Sequence, residues 1–170
     1  RLVGSEMCIR DSLRTFHEGN KLQHLLKSIM LGKKNLKSNI PIAVKVSPDI
    51  SEDQVYQITE ILLEYEIKAI IVSNTSEATR DKLSNIQKHQ KGGLSGKPIE
   101  EKSNILINKF YKLLKGKIKI IGVGGVDSGQ AAYDKFIAGA DFVQLYTGMV
   151  FKGPNTVSYT HLTLPTTPYV

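Results

Sequence analysis

The stretch "IKIIGVGGVDSG" (118–129) begins as a β-branched run, Ile118, Ile120, Ile121 and Val123, and stops on Gly122, Gly124 and Gly125 before offering Asp127 and Ser128. A nearly continuous apolar strand that runs into a glycine turn and then a helix start is one unit of a parallel sheet covered by helices. Glycines at 124 and 125 let main-chain N–H groups approach a phosphate with no Cβ in the way, while Asp127 or Ser128 caps the helix whose positive end faces it. A tight strand-to-helix turn accounts for the same glycines equally well. The dinucleotide fingerprint G-x-G-x-x-G is excluded, because the position that needs its third glycine is Asp127.

Outward from this unit the alternation continues. Upstream, Leu22, Leu25, Leu26, Ile29 and Met30 recur at helical spacing, "PIAVKVS" (41–47) is an apolar strand, and Pro48 with Asp49 breaks it. Ser51, followed by Glu52 and Asp53, marks a helix start with the stripe Val55, Ile58, Ile61, Leu62 and Tyr65. The strand "AIIVSN" (69–74) and a polar loop with "GGLSGKP" (92–98) follow, and Pro98 suits the first turn of a helix whose stripe is Ile105, Leu106, Phe110, Leu113 and Leu114. Downstream come a short helix near 130–137, punctuated by Gly139, and the strand "FVQLYT" (142–147). Four strands alternating with four helices fit either a doubly wound sheet or a (β/α)8 TIM barrel. Two successive strands ending in glycine-bearing loops, "GVGGVDSG" and "YTG", match the paired phosphate loops after barrel strands 7 and 8, so the expectation is the C-terminal four βα units of a barrel. Tyr146, Thr147 and Gly148 then present amides and a hydroxyl to the same place.

Lys45 stands inside an apolar strand, where an unpaired dehydrated ammonium costs several kcal/mol. It either meets an anion at the strand's C-terminal mouth or snorkels past a helix, and position alone slightly favours snorkelling. Ser73, Asn74 and Thr75 are turn formers or ligand contacts at the same mouth.

With 170 residues, 41% of them hydrophobic, the chain is long enough for one core. Its net charge of +7 comes from scattered lysines without interleaved aromatics, which argues for a solvated basic surface or an anionic ligand and against nucleic acid. No apolar run reaches roughly 18 residues and no signal-like stretch opens the chain, so a soluble piece without targeting signal is expected. The single Cys8 forms no internal disulfide, which suits a reducing compartment. His17, His24 and His89 lack ligand spacing, so no metal is expected.

The ends differ. "RLVGSEMCIRDS" (1–12) and "VSYTHLTLPTTPYV" (157–170) carry no periodicity joining their neighbours and resemble translated sequencing-adapter sequence, leaving 13–156 as the native part. Trimming them removes Arg1, Arg10, Glu6 and Asp11, so the surplus stays at +7.

Taken together, "PIAVKVSPDISEDQV", "VSNT", "GGLSGKPIEEKS" and "IIGVGGVDSGQAAYDKFIAGADFVQLYTGMVFKGP" resemble the dihydroorotate dehydrogenase family, and its class 2, quinone-reducing branch in particular, from about Leu13 to Asn155. The resemblance implies an FMN-containing barrel that oxidises dihydroorotate to orotate in pyrimidine synthesis. It implies Lys45 beside the flavin ring, Ser73 at a flavin contact, Asn74 and Thr75 on the orotate ring, and Gly96, Gly125, Tyr146 and Thr147 binding FMN, the last three near its phosphate. It also implies a serine base on an upstream loop and membrane-associating N-terminal helices, peripheral on the cytoplasmic face of a bacterial inner membrane. Neither has a counterpart here, and Ser5 and Ser12 lie in the adapter-like stretch, so no catalytic base is assigned. The alternatives are a class 1 member using fumarate or NAD, another FMN- or phosphate-binding barrel, or a non-catalytic half-barrel.

Overall fold

Strand order decides between the two architectures. The computed structural model describes residues 19–78, 80, 83, 84 and 92–162. Its elements are α1 (Gly19–Asn35), β1 (Ala43–Val46), α2 (Glu52–Glu64), β2 (Ala69–Val72), a 3-10 turn (Lys97–Ile99), α3 (Glu100–Leu114), β3 (Lys119–Val123), α4 (Gly129–Ala138), β4 (Phe142–Gln144), α5 (Thr147–Lys152) and α6 (Asn155–Leu162). The four strands form one sheet in the order β1-β2-β3-β4, every neighbouring pair parallel. A doubly wound sheet reverses its order part-way and so carries helices on both faces. Here each strand is added on the same side, and right-handed crossovers place every helix on one face. The sheet is part of a (β/α)8 barrel, seen with its lumen open.

Side-chain parity follows. Val46, Val72, Gly122 and Val143 share one register row, with Ile70 and Ile120 in the row below, and both rows face the helices. Val46, Ile70, Val72 and Ile120 are buried against Leu26, Ile58, Leu62, Ile107, Phe110 and Leu114. The alternate row, Lys45, Ile71, Ile121 and Phe142, faces the lumen, and Phe142 is 57% exposed. β1 has no partner on its outer side among the described residues, and Leu25 and Ile29 beside it stay partly exposed.

Local chemistry explains the element limits. Ser51 closes a capping box with Gln54, each side chain taking the other's backbone N–H at 3.2 and 2.9 Å. Ser128 caps α4 by accepting from Ala131 N–H at 3.2 Å. Pro98 sits in the 3-10 turn that feeds α3.

Three expectations need correction. The buried stripe of α3 is Ser103, Leu106, Ile107, Phe110 and Leu114, while Ile105 is 54% exposed, because it lies off the 3-4-3-4 spacing that starts at Ser103. β4 stops at Gln144, since Thr147 already begins α5. β2 stops at Val72, where Ser73 N–H bonds across to Val123 C=O at 3.0 Å and Asn74 N–H to Val46 C=O at 2.8 Å.

Residues 1–12 lie outside the described residues, as do 163–170, and α6 runs through the expected boundary at 156/157. No helix among the described residues is long and apolar enough to cross a membrane.

Candidate functional site

The C-terminal ends of all four strands open into one cavity of about 340 Å³. Lys45 of β1, Ser73, Asn74 and Thr75 after β2, Gly124 to Asp127 after β3, and Tyr146 to Gly148 after β4 line it, and Ser95 and Gly96 close it from the loop before α3. All eight residues singled out in the sequence, Lys45, Ser73, Asn74, Thr75, Gly96, Gly125, Tyr146 and Thr147, therefore meet in one place. His24 is exposed on α1, away from it, and His17 and His89 lie outside the described residues.

The glycine turn has a cause that sequence did not reveal. A Cβ on Gly125 would meet Glu100, with the Glu100 Cα only 2.7 Å away, and one on Gly124 would meet Ile99 Cδ1 at 3.0 Å and Ser103 Cβ at 3.5 Å. Both residues also hold left-handed backbone, φ +79° and +113°. What presses on this backbone is therefore the first turn of α3. That packing fixes the path of the turn along the cavity wall. The neighbouring loop is equally close: a Cβ on Gly148 would stand 3.0 Å from Asp127 Cα. Thr147 Oγ1 donates to Ser95 Oγ at 3.0 Å, so three loops are joined at one point.

Lys45 borders the cleft between β1 and α1, but strand parity turns its side chain to the other face. Its neighbours Val44 and Val46 turn toward the helix layer, and Lys45 stands on the lumen face at the cavity wall, in register with Ile71. The snorkelling preference is thus corrected by strand parity: one residue either way would have buried the ammonium.

Asp49, read in the sequence only as a strand breaker, organises the adjacent rim. Its Oδ1 accepts from Ser76 Oγ at 2.6 Å and from Lys102 Nζ at 2.5 Å, and its Oδ2 accepts from Glu77 N–H at 2.8 Å. Ser76 and Leu94 exchange backbone hydrogen bonds of 2.9 and 2.6 Å, closing the base of the loop between them. Ser73, Asn74 and Thr75 are held between this clamp and the ends of β1 and β3. Partial burial alone would raise the Asp49 carboxyl, but the hydrogen bonds from Lys102 and Ser76 and the lysine's charge outweigh it and hold the group below its ordinary value.

The opposite rim carries the charges Lys97, Lys152, Glu100 and Asp127. Lys152 Nζ donates to Asp127 Oδ2 at 2.9 Å and to its carbonyl at 3.0 Å, while Lys97 pairs with Glu100 at 2.5 Å and stands 3.8 Å from Asp127. The Lys152 hydrogen bond holds the Asp127 carboxyl below its ordinary value, and the Glu100 hydrogen bond holds Lys97 above its own. The one carboxylate in the glycine loop is thereby neutralised, so it does not repel an anion at the amides. Ser128, not Asp127, makes the helix cap. The sequence signal for these lysines was weak, because charged residues at loop ends are common on any solvated surface.

Comparison with known proteins agrees with this geometry. The family model for dihydroorotate dehydrogenase matches residues 12–166. The chain is 41% identical over 150 residues to dihydroorotate dehydrogenase (quinone) of Pasteurella multocida and 39% identical over 150 residues to that of Aliivibrio salmonicida, covering 85% of this chain in each case. Among solved structures it is similar to the dihydroorotate dehydrogenase of Eimeria tenella in complex with ferulenol, with a TM-score of 0.82 and 27% identity over 87% of this chain. The chain spans 44% of the length of each of these three. A partial barrel of four parallel strands, with its loops gathered at the C-terminal mouth and the family's sequence pattern along 12–166, belongs to the dihydroorotate dehydrogenase family.

Proposed function

We propose that this chain forms the C-terminal four βα units of an FMN-dependent, quinone-reducing dihydroorotate dehydrogenase, which oxidises dihydroorotate to orotate in pyrimidine synthesis. The observation that carries the reading is the convergence of eight residues from four strand ends and one long loop on a single cavity. The residues fit the cofactor. The glycine turn offers amides at a wall braced by α3, Asp127 is neutralised by Lys152, and Lys45 brings a cation to the same space.

FMN, when bound, supplies the hydride acceptor. Gly125, Tyr146 and Thr147 hold its phosphate, Gly96 and Ser73 contact the remainder, and Lys45 places positive charge where negative charge builds up. Asn74 and Thr75 orient the pyrimidine by hydrogen bonds from a rim that Asp49 keeps in place. No group here is assigned to take the substrate proton. Ser73 Oγ donates to the Asn74 carbonyl at 3.2 Å and Ser95 Oγ accepts from Thr147, so both cavity serines are engaged. We place the base, and the membrane-peripheral N-terminal region, outside these residues.

A hybrid barrel tests the reading. Residues 13–156 replace the matching part of the Pasteurella multocida relative, and the product is assayed for FMN content and for dihydroorotate-dependent reduction of a quinone analogue. Stoichiometric FMN and turnover are expected from the hybrid, and neither from this chain alone. A hybrid that folds without binding FMN would overturn the assignment. Turnover by this chain alone, as a monomer, would show that the rest of the barrel is dispensable. The native limit at 156 is tested by amide exchange, since strong protection at 157–162 would move it to the end of α6.

A further inference from the structure

Lys135 is the most deeply buried cation of the described residues, with 0% exposure. Its stem lies under Gly122, where a Cβ would come within 2.9 Å of Lys135 Cδ. Its Nζ donates to Ser103 Oγ at 3.1 Å and to Asn104 Oδ1 at 2.8 Å. Ser103 Oγ donates in turn to Val123 C=O at 2.7 Å, the same carbonyl that takes the Ser73 N–H at 3.0 Å. Val123 is the last residue before the glycine turn, and its peptide carries the Gly124 nitrogen. A buried ammonium is thus linked by one hydroxyl to the peptide that begins the turn and, through the same carbonyl, to the end of β2.

Such burial needs a reason. Among the described residues no carboxylate is hydrogen-bonded to the ammonium, and a methionine of similar length would fill the space without the cost of dehydrating a charge. We propose that Lys135 is a positioning residue for anion binding: its charge, passed through Ser103, orients the Val123–Gly124 peptide and holds positive potential behind the glycine turn, so that the turn favours a phosphate. This rests on the phosphate reading of the turn given above.

Titration supplies the signature. Burial lowers the Lys135 amine to about 8, while Glu100 of α3 and Asp134 of its own helix act to raise it and Lys97 of the 3-10 turn to lower it. β3 meets the stem with Gly122, beside Ile107 of α3 and Ala140, none of which carries a charge. Lys97 is held above its ordinary value and stays charged across the same range. An unfolded lysine titrates near 10.4, so between pH 8 and 10 the unfolded chain binds more protons than the native one. Stability without ligand then rises with pH as the buried charge is lost, whereas phosphate affinity falls. A purely structural lysine would raise stability with pH and leave phosphate affinity unchanged.

The experiment is a fluorescence titration of the hybrid barrel with FMN and with riboflavin, which lacks the phosphate, at pH 7 and pH 9. The FMN-to-riboflavin affinity ratio should fall about tenfold between these pH values in the wild-type hybrid, the scale expected for losing one buried charge near a dianion. In Lys135→Met the ratio should be low and pH-independent, with riboflavin affinity unchanged and the melting temperature at pH 7 equal or higher. A flat wild-type profile overturns the inference and needs no variant to be seen. An unchanged ratio in Lys135→Met overturns it as well. A wild-type hybrid that binds FMN no better than riboflavin at either pH removes the phosphate reading itself.

Discussion

The two faces of the sheet are built from the same residue types, and only one of them is finished. On the helix side Val46, Ile70, Val72 and Ile120 are at most 2% exposed, packed against α2 and α3. On the lumen side Ile71 and Ile121 are partly open and Phe142 is 57% exposed, although each is as apolar as its neighbours in sequence. A βα unit therefore carries its own helix-side core wherever it is placed, while its lumen side is a contribution to a core shared with the other strands of a barrel. The cavity sits where the two meet, at the strand ends, with Lys45 from the lumen row and the glycine turn braced from the helix side.

The most severe way to break this comparison is to place a charge on each face. Ile70→Asp buries a carboxylate beside α3 and should abolish folding, a loss of more than about 4 kcal/mol. Ile71→Asp, one residue on, should leave the secondary structure of this chain intact and should reduce its self-association, because it polarises the surface that the open lumen exposes. Circular dichroism in urea and sedimentation velocity of both variants check this. Equal damage from the two would mean that the lumen face is already covered in this chain by something other than barrel strands.

A second contrast sets two glycines against each other. Gly125→Val combines a left-handed backbone with overlap on Glu100 and should cost about 3 kcal/mol even before any ligand is added. Gly32, inside α1, has nothing within 4 Å of a Cβ, so Gly32→Ala should stabilise by up to about 1 kcal/mol. Thermal melts of the two hybrids, without cofactor, measure both. A neutral Gly125→Val without cofactor would mean that the turn relaxes away from α3, and the brace argued above would be gone.

These contrasts also show what was legible in the sequence. Strand positions were, because each apolar run is bounded by a turn signal, and so was the gathering of strand ends, because parallel βα order dictates it. The ends of β2 and β4 were not. Ser73, Asn74, Tyr146 and Thr147 look like strand continuation and are diverted by cross-strand bonds and by α5. The glycine turn was legible as a special backbone, yet its neighbour α3 lies 25 residues upstream in Glu100 and no local pattern announces it. Lys135 was invisible for a related reason: a lysine in a helix is read as solvent-facing, and only the small residues Ala131 and Ala132, buried one turn earlier on the same helix, and Gly122 over its stem hint that it points inward.

On the helix side, a finer test is the capping box. Ser51→Ala removes the acceptor for Gln54 N–H and leaves only the backbone N–H that donates to Gln54 Oε1, so about 1 kcal/mol should be lost. The loss should appear equally in this chain and in the hybrid barrel, as α2 packs on the finished face in both. Urea midpoints compare them. A larger loss in the hybrid would show that α2 is positioned partly by strands this chain lacks.

The smallest effect concerns Asp49, which ties the rim of the site to α3. Its folded-state carboxyl is below the ordinary value, so its contribution is fully present above the unfolded value near 4 and is lost as pH falls through the lowered folded value. The pair with Lys102 is partly exposed, with side-chain accessibilities of 40% and 24%, so solvent screening limits the contribution to on the order of 0.5 kcal/mol. Asp49→Asn keeps the shape and removes the charge. At pH 7 the variant should be less stable than wild type by that amount, and the gap should close as pH is lowered from 5 to about 2, where wild-type Asp49 is also neutral. Added salt should narrow the gap at pH 7, since the pair is screened. A gap that persists undiminished at low pH would mean that Asp49 acts through hydrogen bonds to Ser76 and Glu77 alone, which a neutral carboxyl can still accept, and that the charge of Lys102 does nothing to hold the rim against α3.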